Sequence, residues 1–140
     1  MSDGTSSKSV GRLVALVLVL ALVAGGYLAM RYFRKAPTQP SPDVGRTVAE
    51  EFLTKVRADP GKAWDTSTAE FKSIEGRESF IRKSKSTPIL KEPLQFNSSQ
   101  QVMIQDQPRT EYLFQSPKAK MVRVLIGYEQ GNWKVDRLTL

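Results

Sequence analysis

Residues 121–138 read M-V-R-V-L-I-G-Y-E-Q-G-N-W-K-V-D-R-L, and the fold class turns on this stretch. Val122, Val124, Ile126 and Tyr128 recur at every second position, with Met121, Arg123, Leu125, Gly127 and Glu129 on the opposite side. A period of two is that of a β-strand. Gln130-Gly131-Asn132 then supplies turn residues, and 133–138 is a second β-type run, so the stretch predicts an antiparallel hairpin. The mixed second face implies a curved sheet packed on helices on one side and partly wet on the other.

Upstream lie three more short β-type runs, at 94–97, 102–104 and 112–114. They are separated by Asn97-Ser98-Ser99 and Asp106-Gln107-Pro108, and Ser116-Pro117-Lys118 precedes the hairpin; these turn residues predict a meander. Before residue 93 the period changes. Val44, Val48, Phe52 and Val56 recur at i+4 with Ala49 and Leu53 beside them, and Arg46, Glu50, Lys55 and Arg57 lie opposite. This predicts a helix with Asp43 as its N-cap. Asp59-Pro60-Gly61 ends it, and Asp59 can cap the next helix. One or two short helices are expected over about 62–72. A third is expected over about 77–85, with Phe80 and Ile81 buried and Pro88 as its stop. Helices followed by antiparallel strands make 43–140 an α+β domain.

Further out, 36–42 reads A-P-T-Q-P-S-P, a proline-rich spacer that continues the basic flank starting at Arg31. Before it, 13–30 is 18 residues without a charge, ten of them Leu or Val. As a helix this is roughly 27 Å long, close to the roughly 30 Å of a bilayer core, so a transmembrane helix is expected after the short tail 1–12. Arg12, Arg31, Arg34 and Lys35 flank it and can snorkel. A cleaved signal peptide is the competing reading, with Lys8 and Arg12 before an apolar run that ends near Ala24. Ala21, Gly25 and Ala29 form a small-residue stripe on which two such helices can pack. Charge counting leans toward a cytoplasmic carboxyl-terminal domain, whereas a short basic tail before a first apolar segment is also how an exported domain begins.

Composition excludes much chemistry. The 140 residues contain no Cys and no His, which removes disulfides, thiolate nucleophiles, His-ligated metals and Ser-His-Asp triads. Of the net charge of +7, the domain from residue 43 carries +3, so the basicity belongs largely to the membrane flank. No cofactor, metal or nucleic-acid partner is expected, for want of a phosphate loop, paired metal carboxylates or an aromatic-interleaved basic stripe.

The order of elements, with T-V-A-E-E-F-L-T-K-V at 47–56, K-A-W-D at 62–65, E-F-K at 70–72 and G-N-W-K-V-D-R-L at 131–138, resembles the nuclear transport factor 2-like superfamily. This is the cystatin-like cone, and the likeness is to its small bacterial envelope members with one amino-terminal anchor. It covers about 44–140, and the W-K-V ending after a Gly turn is its most specific piece. The resemblance implies a curved sheet around a long helix with a conical pocket. Ketosteroid isomerases and dehydratases of the superfamily perform acid–base chemistry there, while other members, including anchored components of type IV secretion systems, bind or scaffold. It also implies a domain outside the cytoplasm at the inner membrane and a homodimer or an envelope protein as partner.

No residue matches the isomerase pattern position by position. Glu111, Glu129 and Asp136 read as solvated strand-edge charges, and Asp65 beside Trp64 reads either as a pocket carboxylate or as a helix cap. Trp64, Asp65, Phe71, Tyr112, Tyr128 and Trp133 are the candidates to line a ligand pocket, with core packing as the alternative for the aromatics. The sequence therefore points to a single-pass, non-catalytic binding or interaction module, with a small-molecule carrier or acid–base enzyme as the alternative. The enzyme would need Asp65 or Glu111 buried against an aromatic.

Overall fold

The computed structural model describes residues 17, 19, 21–26 and 39–140. The chain divides into two units, Met1–Lys35 and Ala36–Leu140. In the first, the described residues are α-helical and exposed, among them Val17, Leu22 and Val23. Among the described residues, no helix is long and apolar enough to cross a membrane. Most of the expected span 13–30 lies outside the described residues, as do Ala29, Arg12, Arg31, Arg34 and Lys35; Ala21 and Gly25 fall within the described helix.

The second unit is α+β. Helix α1, Pro42–Ala58, has Ser41 rather than Asp43 at its N-cap position. Pro42 occupies the first helical position, where its missing N–H costs nothing, and Asp43 falls in the first turn. The buried face runs through Gly45, Ala49, Phe52, Leu53 and Val56, while Val44 is exposed. A strict i+4 series drifts about 40° per step around a 3.6-residue helix, so Val44 rotates out and Gly45 rotates in.

Asp59 then caps α2, Pro60–Asp65, by accepting from the Lys62 N–H at 3.2 Å. Thr68 caps α3, Ala69–Ile74, through the Phe71 N–H, also at 3.2 Å. Helix α4, Arg77–Ser86, leads into a 3-10 turn at Pro88–Lys91 that buries Leu90. Phe80 is buried on α4 as expected, and Ile81 is half-buried.

Four strands follow: β1 Gln95–Ile104, β2 Gln107–Gln115, β3 Met121–Glu129 and β4 Asn132–Thr139. They form one antiparallel meander in the order β1-β2-β3-β4. The two-residue turns Gln105-Asp106 and Gln130-Gly131 have positive φ at both positions, the conformation that matches strand twist in tight hairpins. Asn97-Ser98-Ser99, expected as a turn, instead continues β1 through an irregularity between Phe96 and Ser98. Main-chain pairing needs no apolar side chains, and on this edge strand cross-strand amides serve instead: Asn97 Nδ2 donates to Gln115 Oε1, and Gln100 Nε2 to Glu111 Oε2.

Helix α1 packs on the sheet through Tyr112, Phe114, Val122, Val124 and Ile126. A ring triad, Phe52, Phe71 and Phe80, ties α1, α3 and α4 together, with centroids 5.2 to 6.3 Å apart.

Candidate functional site

The pattern W-K-V-D-R-L at 133–138 places its apolar residues two apart and then three apart, which requires one extra residue in a strand of period two. The register contains that residue. Ile126 faces Val135 and Leu125 faces Arg137, so Asp136 is left without an opposite number. A bulge of this kind redirects a side chain. Here it turns the Asp136 carboxylate inward, leaving the residue 3% exposed.

Gly127 on β3 makes this possible: a Cβ there would collide with the Asp136 carboxylate. Arg109, reaching from β2, donates through Nη1 to Asp136 Oδ2 and, at 3.1 Å, to Glu70 Oε2 on α3. Arg137 Nη2 approaches the other oxygen of Glu70 at 3.7 Å. Burial pushes the Asp136 carboxyl above its ordinary value, while the Thr68 hydroxyl and the Arg109 guanidinium pull it down.

The same corner is fastened from the hairpin. Glu129 Oε1 accepts from the Ala69 N–H at the start of α3 at 2.8 Å, and its Oε2 accepts from Lys134 Nζ at 3.0 Å. These bonds, led by the backbone one, hold the Glu129 carboxyl below its ordinary value. Thr68 N–H adds a bond of 3.0 Å to the Val135 carbonyl.

Beside this cluster, between α3, α4, the 3-10 turn and the last residues of β4, lies a pocket of about 370 Å³. Its apolar wall is Phe71, Phe80, Leu90 and Leu138, with Ile74 and Leu140 exposed. Asp136, Arg137, Thr139, Glu75, Lys83 and Ser84 supply the polar wall. The volume is at the small end of ligand sites.

The expected pocket residues are dispersed. Phe71 lines this pocket. Trp64 does not line it; its Nε1 donates to the carbonyl of pocket-lining Glu75 at 2.7 Å, and Lys72 Nζ lies 5.1 Å from its ring centroid. Asp65 is half-exposed at the end of α2 and ion-paired with Arg77 at 3.1 Å; the Arg77 hydrogen bond lowers its pKa. Tyr112 is buried under α1. Tyr128 and Trp133 stack edge to face, 4.9 Å apart, and Trp133 borders a separate groove of about 360 Å³ between α1 and β4. Glu111 holds Gln100, and so neither carboxylate required for the enzyme alternative is buried against an aromatic.

Asp136, expected as a solvated edge charge, is the buried one. Glu129 differs from that expectation through hydrogen bonding, since it accepts from the Ala69 N–H of α3 and from Lys134. The signals for Asp136 were present in the sequence: a glycine inside a strand marks a bulge or a close approach, and the change of spacing before Leu138 marks the bulge itself. Arg109 and Ser84 carry no comparable local signal. Among the described residues no group of three or more carboxylates is placed to hold a metal ion. No family model, curated protein or solved structure matches the chain.

Proposed function

We propose that the protein is a single-pass, membrane-anchored, non-catalytic binding module, its α+β domain exposed to the cell envelope and its ligand held in the pocket beside Asp136. The observation that carries this reading is a ligand-sized pocket whose buried carboxylate is already committed to Arg109. A carboxylate so engaged is poorly placed to abstract a proton, yet the pair stiffens the wall against which a ligand would rest. The apolar run 13–30, the basic flank and the proline-rich spacer support the anchor. The likeness to the nuclear transport factor 2-like superfamily supports a cone-type domain outside the cytoplasm, with a homodimer or an envelope protein as partner.

One test addresses the placement. A reporter active only outside the cytoplasm is fused after Leu140, and the membrane fraction is blotted for size. Activity with full-length, membrane-bound protein is the expected result. A silent reporter inverts the protein, and a shortened soluble product establishes the signal peptide instead.

A carrier or acid–base enzyme is the second reading, favoured by one observation: Asp136 borders the pocket with its pKa raised by burial. That reading requires Asp136→Asn to abolish turnover of a bound compound while its binding persists.

A further inference from the structure

Ser84 sits on α4, 4% exposed, and lines the pocket, and its Oγ has no hydrogen-bond partner among the described residues. Its helix neighbours behave otherwise. Ser86 Oγ donates to the Lys83 carbonyl at 3.1 Å and Thr87 Oγ1 does so at 2.6 Å. The other buried side-chain oxygens without a partner among the described residues, Glu92 Oε2 and Tyr112 Oη, do not line this pocket. A buried hydroxyl left unpaired is costly, and a ligand oxygen beside it would restore the bond.

The charges around the pocket are already matched. Glu75 accepts from Ser79 at 2.9 Å and from Lys83 at 3.4 Å. Asp136 is held by Arg109, and Arg137 faces Glu70. A charged ligand would break one of these pairs or stay uncompensated. Of the remaining lining, Thr139 is polar and exposed and the rest is apolar, a character that exposed Ile74 and Leu140 extend outward. At roughly 30 Å³ per water-sized group, 370 Å³ holds about a dozen non-hydrogen atoms.

We infer that this pocket takes a neutral, mostly apolar molecule of about a dozen non-hydrogen atoms, whose one hydrogen-bonding oxygen meets Ser84. This rests on the binding-module reading above.

The test uses the full chain in detergent-free lipid nanodiscs with Trp133→Phe as background. Trp64, bonded to the carbonyl of pocket-lining Glu75, is then the sole tryptophan reporter. The probes are 1-decanol, decane and decanoate. The expected result is saturable quenching or shift with decanol about 2- to 12-fold tighter than decane, with decanoate weaker than decanol. Ser84→Ala removes the decanol–decane difference, and Ser84→Leu, filling the pocket, removes both responses. The Ser84→Ala comparison does not depend on the larger variant folding. Decanoate binding tighter than decanol, or a decanol–decane difference that survives Ser84→Ala, overturns the ligand class while leaving a binding pocket. No saturable response to any probe, or a response that survives Ser84→Leu in a folded protein, overturns the pocket reading itself.

Discussion

Two glycines in this domain each make room for a polar side chain, and the two sites differ in what that side chain finds. At Gly45, helix α1 comes close enough to β2 that a Cβ would strike the Tyr112 hydroxyl, and that hydroxyl has no partner among the described residues. At Gly127, the vacated space is filled by the Asp136 carboxylate, which meets Arg109 and whose pKa burial raises against the opposing pull of Thr68. The first site is a buried helix–sheet contact in which the phenol acts as a large apolar body, and burial raises its pKa. The second is a charge cluster joining β2, β4 and α3 beside a pocket. Close approach alone therefore does not make a polar site. What separates them is whether the sequence places a countercharge within reach.

The largest effect is expected at the charged site. Arg109→Met leaves Asp136 buried without its cation and should cost about 3–5 kcal/mol in urea unfolding. Adding Asp136→Leu to that variant should restore most of the loss, because the stranded charge is gone. A double variant as unstable as the single would show that packing, not charge, dominates there.

The glycines test the comparison directly. Gly127→Ala should cost about 1–3 kcal/mol through overpacking against Asp136. Gly45→Ala should cost less, since Ala gains about 1 kcal/mol of helix propensity, and Tyr112→Phe should recover part of the loss by removing the struck oxygen. Equal losses with no rescue by Phe would erase the distinction between the two sites.

Acid–base titration sharpens it further. Asp136 has a folded-state pKa raised by burial, so its favourable contribution is present below the ordinary carboxyl value of 3.8 and is lost as pH rises through the folded value. The stability of the wild type relative to Asp136→Asn should therefore fall as pH rises from 3.8, in urea midpoints taken at matched ionic strength. Glu129, whose pKa is lowered, acts in the opposite sense, with a contribution lost as pH falls below its ordinary range. The smallest effect is Tyr112→Phe alone. Removing an unpartnered buried hydroxyl should leave the melting temperature unchanged or slightly higher.

The elements most legible in the sequence were those where one pattern fixed both period and boundary. The 131–138 ending, with Gly131 at positive φ, placed the β3–β4 hairpin, and Asp59-Pro60-Gly61 placed the break between α1 and α2. The sequence divides β1 into two runs because its middle, Asn97 to Gln101, is polar, and its pairing is carried by main chain and amides that leave no apolar alternation. The candidate site was read less well. Its buried acid lies on a bulge, where alternation gives the wrong side, and its countercharge comes from a residue 27 positions away. Aromatic content singles out Tyr128 and Trp133, which pair with each other, and Trp133 borders a different groove.

Glu129 gives the domain an order of assembly. Helix α3 has six residues, too few to persist alone, and its first turn is held by a carboxylate 60 positions later in the chain. The long-range bonds to its first turn form only after the β3–β4 hairpin has brought Glu129 and the Val135 carbonyl to it. In a kinetic experiment, α3 should then belong to the late part of folding. Removing the Glu129 carboxylate should speed unfolding far more than it slows refolding.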